Sequence, residues 1–370
     1  MVNITFIIGN GFDLNLGLKT SYTDFYKIYV EDADEEKNEL IQYFKKSIPV
    51  SSETKTKIEN WSDFEKAMGE YSTDSIFTLP DGGDKFLSCA GHFLKEFESH
   101  LKEQVKEFKS KKLIDLNKSN FIKSILKFSD VFIYNTDKHK KFAKIINECT
   151  RLEGKINFLQ LNYTDVFDII YERCRQECNL YLKGNNDYKQ KYGINQLGVN
   201  IHVHGEVGNL PVLGVSSIDQ IISETVRNNP EVIKGFIKEN YYEARKDKNK
   251  DMDIPADIAK ILLWDSDIVC IYGASIGETD KHWWVEVGNL LKEENKLLII
   301  LGYKKGSANR NSNEVTVWHN EKEQKEKDLS EQFMNLAGWT DKDKAEHGHK
   351  IIVEAGDGLF GGLLLEPVPV

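Results

Sequence analysis

Four short sets of residues in this chain carry groups that packing alone does not ask for. They are Gly9-Asn10-Gly11-Phe12-Asp13, Asn162-Tyr163-Thr164-Asp165, His202-Val203-His204-Gly205, and Gly273-Ala274-Ser275 with Asp280. Glycines allow backbone angles and close approaches that a Cβ forbids. A carboxamide can orient a water or a hydroxyl, and an imidazole of intrinsic pKa near ~6.5 can accept a proton at neutral pH. Carboxylates or oxygen dipoles stabilise positive charge developing on a sugar. Each set also has a plainer reading. Asn162 could cap a following helix, a strand histidine could be a satisfied core group, and either glycine turn could be only a tight turn. What distinguishes chemistry from packing is convergence of all four in one cleft.

The elements that must position these groups are short strands. Asn3 to Ile8 is an apolar, β-branched run, long enough for one buried strand and too short for a membrane span. It runs into the glycine turn, a place where free backbone N–H groups can hold phosphate at the carboxyl end of a sheet. The dinucleotide fingerprint G-x-G-x-x-G is not met, because its sixth position is Leu14. Thr20-Ser21 offers a cap for a helix from Tyr22 to Val30. Further strands are expected at 155–162, 199–204, 268–272 and 296–303, with others at Val315 to His319 and Lys350 to Glu354. If these run parallel, the four sets share one sheet edge. Strand alternation would put His202 and His204 on the same side.

From Glu31 to about Arg151 the texture is lysine- and glutamate-rich helix with little strand alternation. Trp61, Phe64 and Met68 fall at helical spacing, and Asp84 to Lys112 carries an apolar stripe through Phe86, Phe93, Phe97, Leu101 and Val105. Pro80-Asp81-Gly82-Gly83 reads as a loop. Helices are also expected over 165–180, 230–245, 254–264 and 279–294. Strands alternating with helices indicate an α/β protein with a mostly parallel sheet. The expected organisation is an α/β core of residues 1–30 and 151–355, a helical insertion or cap over 31–150 after the first strand, and a C-terminal tail, 356–370, prone to disorder or docking.

The chain has 370 residues, 49 Lys plus Arg against 59 Asp plus Glu, and a formal charge of −10. That balance argues against a general polyanion binder, although lysine runs at Lys109-Ser110-Lys111-Lys112 and Lys138 to Lys141 could form a local track. The five cysteines include no C-x-x-C pair. Cys174 and Cys178, four apart on a helix, are expected to be packing thiols, and no metal site is expected. No secretory signal is visible, so a reducing cytoplasm is the expected location, with no membrane association.

The stretches GNGFDLNLGLKTSY from Gly9, WSDFE at Trp61, LNYTD at Leu161, HVHG at His202 and YGASIGETD at Tyr272 together resemble the AbiH family of bacterial abortive-infection proteins. More remotely, the same ordered set is similar to the sirtuin-like, Rossmann-like NAD-binding fold of other anti-phage effectors. That resemblance implies a glycine loop for the dinucleotide phosphates at Gly9, Asn10 and Gly11. It implies an asparagine by the ribose at Asn162, a histidine base at His204, and an adenosine-side turn at Gly273 and Ser275. Asp13, Tyr163 and Asp280 complete the expected ligand contacts. The zinc-binding cysteines of sirtuin deacetylases are missing, which argues against deacylation of lysine. Thr164 stands where the family-like run has a carboxylate, a place Asp165 or Asp13 could fill. The implied function is an anti-phage effector that binds and hydrolyses NAD or a related nucleotide, requires no other cofactor, responds to a phage trigger, and forms a homo-oligomer. The alternatives are an effector acting on nucleic acid and a non-catalytic sensor of a nucleotide or phage protein.

Overall fold

A computed structural model describes residues 1–31, 61–72, 77, 80–113, 116–126, 128–132, 135–184, 194–208, 211–238, 255–303, 312–356, 359–360 and 363. Strand β1 (Ile4–Ile8) leads into a one-turn helix α1 (Gly11–Asn15) and then α2 (Tyr22–Glu31). Helices α3 (Trp61–Tyr71), α4 (Gly82–Glu107), α5 (Lys118–Leu126) and α6 (Thr136–Glu148) separate it from β2 (Lys155–Gln160). After β2 come α7 (Val166–Gly184), β3 (Gln196–His202), α8 (Glu224–Arg227), α9 (Pro230–Phe236) and α10 (Pro255–Trp264). The chain continues through β4 (Ile268–Tyr272), α11 (Lys281–Leu290), β5 (Leu297–Tyr303), α12 (Ser312–Leu336), α13 (Asp341–His347) and β6 (Ile351–Gly356).

The six strands form one sheet in the order β3-β2-β1-β4-β5-β6, with every pairing parallel. This is the doubly wound, Rossmann-like order. Its connections reverse direction between β1 and β4, and ligands of such sheets settle at that reversal. Both faces are covered, which is why the central strands read as continuous apolar runs rather than alternating ones. On one face Ile4, Phe6, Ile8, Ile156 and Phe158 pack against α7 and against Phe121, Phe128 and Phe142 of the long helical segment. On the other, Ile7, Leu159, Val269, Ile271 and Ile300 pack against α10, α11 and Phe333 of α12. A third cluster joins Phe25 and Tyr29 of α2, Met68 and Tyr71 of α3 and Phe86, Phe93 and Phe97 of α4 to Val232 and Phe236 of α9. The helices between β1 and β2 therefore bury their apolar stripes partly on the sheet and partly on the 213–237 segment. No helix among the described residues is long and apolar enough to cross a membrane.

Several sequence expectations are corrected. Val315 to His319 is not a strand. It lies inside the 25-residue helix α12, whose charged, helix-favouring residues outweigh two alternating valines, and Val317 is exposed there. The loop at Pro80 to Gly83 is shorter than expected, because Gly82 already begins α4. The helix expected from Thr279 opens as a single 3₁₀ turn, Glu278–Asp280, before α11. Of the helix expected over 230–245, residues 239–245 lie outside the described set, as do 32–60 of the insertion and most of the tail. Cys174 and Cys178 are fully buried in the core, and burial pushes their thiols up to about 11 and about 12.

The turn after β1 is welded to the turn after β4. Gly9 N–H donates to the Tyr272 carbonyl at 2.9 Å and Gly11 N–H to the Gly273 carbonyl at 2.7 Å. A Cβ on Gly9 would stand 2.3 Å from Ala274 Cα, and one on Gly11 2.5 Å from Gly273 Cα. Gly273 itself holds φ +67°, the left-handed region that favours glycine. Gly9→Ala should therefore force the two turns apart and cost about 1–3 kcal/mol. Urea denaturation of the variant beside wild type checks this, with an unchanged midpoint as the contrary result.

Candidate functional site

A cavity of about 200 Å³ opens at the β1/β4 reversal. Its walls include Gly9, Asn10, Gly11, Asn162, Tyr163, His204, Gly273, Ser275 and Asp280, so residues from all four sets meet there. Asp13 is not in the wall. It sits behind it, fully buried, where its Oδ2 accepts the Thr164 hydroxyl at 2.6 Å and its Oδ1 has no hydrogen-bond partner. Asp165 points elsewhere, paired with Lys109 at 2.9 Å.

Three parts of the wall are already engaged within the protein. The N–H groups of Gly9, Gly11 and Phe12 are engaged by the carbonyls of Tyr272, Gly273 and Gly9. Asn10 braces that turn: its Nδ2 donates to the Thr20 carbonyl at 2.8 Å and its Oδ1 accepts the Thr20 hydroxyl at 2.7 Å. The Asn162 amide is held within its own turn. Its Oδ1 accepts Tyr163 N–H at 3.0 Å and its Nδ2 donates to Thr164 Oγ1 at 3.3 Å.

His202 and His204 do not share a side, because β3 ends at His202 and the chain bends immediately after it. His202 turns toward α7. Its Nε2 lies 2.7 Å from Asp168 Oδ2 and its Nδ1 3.0 Å from the Asn162 carbonyl, so both ring nitrogens face acceptors. Burial opposes the charged form, but Asp168 outweighs it and raises the His202 pKa. His204 is buried in the cavity wall, its Nε2 3.2 Å from Asp280 Oδ1 but off the line of a good hydrogen bond. Its ring lies 6.2 Å from that of Tyr163.

The sequence reading missed two residues that dominate the inner wall, Glu65 and Lys238. Lys238 follows α9 and is 1% exposed, and its Nζ donates to Asp280 Oδ1 at 2.8 Å and to Glu65 Oε2 at 2.9 Å. Glu65, 2% exposed on α3, also accepts Gly214 N–H at 3.3 Å and lies 3.3 Å from the Tyr163 hydroxyl. The 3₁₀ turn that carries Asp280 packs directly on α3. Burial alone would lower the Lys238 ammonium, but Asp280 and Glu65 outweigh it and raise its pKa. Burial alone would raise Asp280, but Lys238 and His204 hold its carboxyl well below the usual range. For Glu65 burial prevails over Lys238, and its pKa is raised. Nearby, burial takes the His282 imidazole down to about 3, and its Nδ1 faces Ser216 Oγ at 3.2 Å.

Glu65 closes the WSDFE stretch, which was a signal available in the sequence. Lys238 lies in an ordinary charged helical run and had none. Among the described residues no cluster of His, Cys, Asp and Glu is arranged to hold a metal ion. A second, more open cavity of about 480 Å³ lies beyond the 163–165 turn, lined by Lys102, Lys106, Lys109, Ser110 and Asp165. In the other lysine run, Lys140 is exposed. Lys138 is drawn inward to Glu326 at 2.7 Å and Glu354 at 2.8 Å.

The sequence model of the family described as bacteriophage abortive infection AbiH matches residues 5–301, from within β1 to within β5. No curated protein matches the chain.

Two stability tests follow from this wall. Lys238→Met would leave two carboxyls buried without their cation and should cost about 3–5 kcal/mol in urea denaturation at neutral pH. A loss below ~1 kcal/mol would mean that water reaches the cluster. Burial raises the Asp13 carboxyl from 3.8 to about 7, opposed by the Thr164 hydroxyl. The native state thus holds this proton more tightly than the unfolded chain. The stabilisation is complete below the unfolded pKa and lost as pH rises through about 7. Asp13→Asn does not titrate, so its stability relative to wild type should climb between about pH 4 and pH 8, by roughly 4 kcal/mol. A flat difference across that window would contradict the assignment.

Proposed function

The chain belongs to the AbiH family of bacteriophage abortive-infection proteins, and from that premise we propose that it is a defence effector that binds NAD or a related nucleotide and hydrolyses its N-glycosidic bond. The observation that carries this reading is His204 beside Asp280 at the buried end of a cavity at the sheet's reversal point. His204 there stands next to an ionised carboxylate, which stabilises the imidazolium that forms on proton uptake.

The chemistry asked of the wall is limited. As the ribosyl C–N bond breaks, its electron pair leaves with the base, and nicotinamide departs neutral without needing a proton donor. Positive charge builds on the sugar and water adds to the same carbon. His204 takes the proton of that water. Asn162 and Tyr163 form the wall from which the sugar is positioned, and the flat backbone of Gly9, Gly11 and Gly273 lets a ligand approach closely. The cavity is smaller than the ~300–1,000 Å³ of drug-sized sites, which matches one ribosyl-and-base end of a dinucleotide rather than the whole molecule.

The lysine-lined cavity beside the 163–165 turn favours a second reading, in which the substrate is a nucleic acid whose phosphates lie along Lys102, Lys106 and Lys109. Incubation of the purified protein with NAD, read as free nicotinamide, separates the two. Release is expected, and His204→Ala should lower it at least ~100-fold with an unchanged thermal midpoint. Salt-dependent binding of RNA or DNA without release would support the second reading. Stabilisation by NAD without turnover would mark a sensor.

A further inference from the structure

We propose that Glu65 is a catalytic residue of this site: its carboxylate faces the ribose and stabilises the positive charge that builds there as the N-glycosidic bond breaks. The inference rests on the nucleotide-hydrolysing reading above and adds to it a group supplied by the helices inserted between β1 and β2.

Position comes first. Glu65 lines the same cavity as the glycine turns, and it reaches there from α3, not from the sheet. It is tied to the proposed base through an unbroken series of contacts. Glu65 Oε2 meets Lys238 Nζ at 2.9 Å, Lys238 Nζ meets Asp280 Oδ1 at 2.8 Å, and Asp280 Oδ1 meets His204 Nε2 at 3.2 Å. Lys238 Nζ and Gly214 N–H both donate to Glu65, an arrangement suited to a carboxylate.

Charge comes second. A clamp between α3 and the core would need one cation and one carboxylate. Here one buried ammonium is shared by two buried carboxyls, with a third titratable ring, His204, beside them. Two ionised carboxyls against one ammonium leave Glu65, Lys238 and Asp280 one negative charge in excess. Buried charge without a partner is expensive, and burial accordingly resists ionisation of Glu65. A purely structural cluster would shed the second carboxyl. A site that must meet a cationic sugar keeps it, because the transition state itself supplies the missing positive charge. The titratable groups facing Glu65 are Lys238, Asp280 and Tyr163, with His204 behind Asp280.

The step balances without any partner beyond water. The ribosyl C–N bond breaks and its electron pair leaves on neutral nicotinamide. The sugar cation rests against the Glu65 carboxylate, and water adds to the anomeric carbon. The water's proton passes to His204 and then to solvent. The products are ADP-ribose, nicotinamide and one proton.

The test compares wild type with Glu65→Gln in the full-length chain, by steady-state release of nicotinamide from NAD and by binding of two probes. One probe is ADP-ribose, which is neutral at the anomeric centre. The other is a ribosyl analogue whose ring carries a protonated nitrogen. The variant should keep KM and ADP-ribose affinity within about threefold and lose kcat by at least ~100-fold. It should also lose at least ~10-fold in affinity for the cationic analogue alone, a selectivity that a merely structural role would not move. Should Glu65→Gln fail to fold, Glu65→Asp keeps the charge and retracts it by one methylene. For that variant a loss of kcat of ~10-fold or more is expected. Wild-type turnover with kcat unchanged in the folded variant would overturn the role of Glu65 and leave the hydrolase reading standing. Absence of nicotinamide release by wild type would overturn both.

Discussion

One buried ammonium holds this site together. Lys238 sits between Glu65 and Asp280, and those three residues come from an inserted helix, the end of a helical crossover and the turn after the central strand β4. None of the three could be buried alone, since each ion would carry several kcal/mol of desolvation. Their mutual pairing makes burial tolerable and fixes how the insertion meets the sheet. The cavity, the orientation of His204 and the seat of Tyr163 all depend on that contact. The aromatic packing of α2, α3 and α4 on the 213–237 segment supports it from outside, with Phe86 edge-on to Phe236 and Phe97 edge-on to Tyr163.

The sheet was legible because it is built from runs that have no other plausible use. Residues 4–8, 268–272 and 297–303 are apolar on both faces, as strands covered by helices must be, and the glycine turns mark where they end. The convergence expected at the strand ends was legible too: Asn162, His204 and Ser275, which follow β2, β3 and β4, line one cavity. Local pattern failed where tertiary context decides. Val315 and Val317 imitate strand alternation inside a helix. His202 and His204 obey alternation only if the strand continues, and it stops at His202. Lys238 is chemically distinctive only because the fold surrounds it with two carboxylates, and no spacing rule encodes a contact spanning 173 residues.

The two glycine turns show how a familiar signature can arise for a different reason. A glycine turn after the first strand of an α/β sheet is usually read as a phosphate cradle. Here the glycines are required because two turns cross at backbone contact distance, and the N–H groups of Gly9 and Gly11 are engaged in doing so. The same holds for Asn162, whose amide stiffens the turn between Thr164 and Tyr163. The rim of the cavity is largely backbone held by those bonds, and its buried charged groups are Glu65, Lys238 and Asp280, with His204 beside them.

The sheet order has a further consequence for how the chain is made. Strand β1 emerges first from the ribosome but lies in the middle of the sheet, flanked by β2 and by β4, which begins at Ile268. Until that later strand has been translated, one edge of β1 is bare and the turn at Gly9 has nothing to dock against. Asp280 follows later still, so a nascent chain that already carries Asn162, His204 and Lys238 lacks the anion that gathers them. The constellation is withheld until Asp280 has been made. A copy released before that point carries Asn162, His204 and Lys238 but not the site.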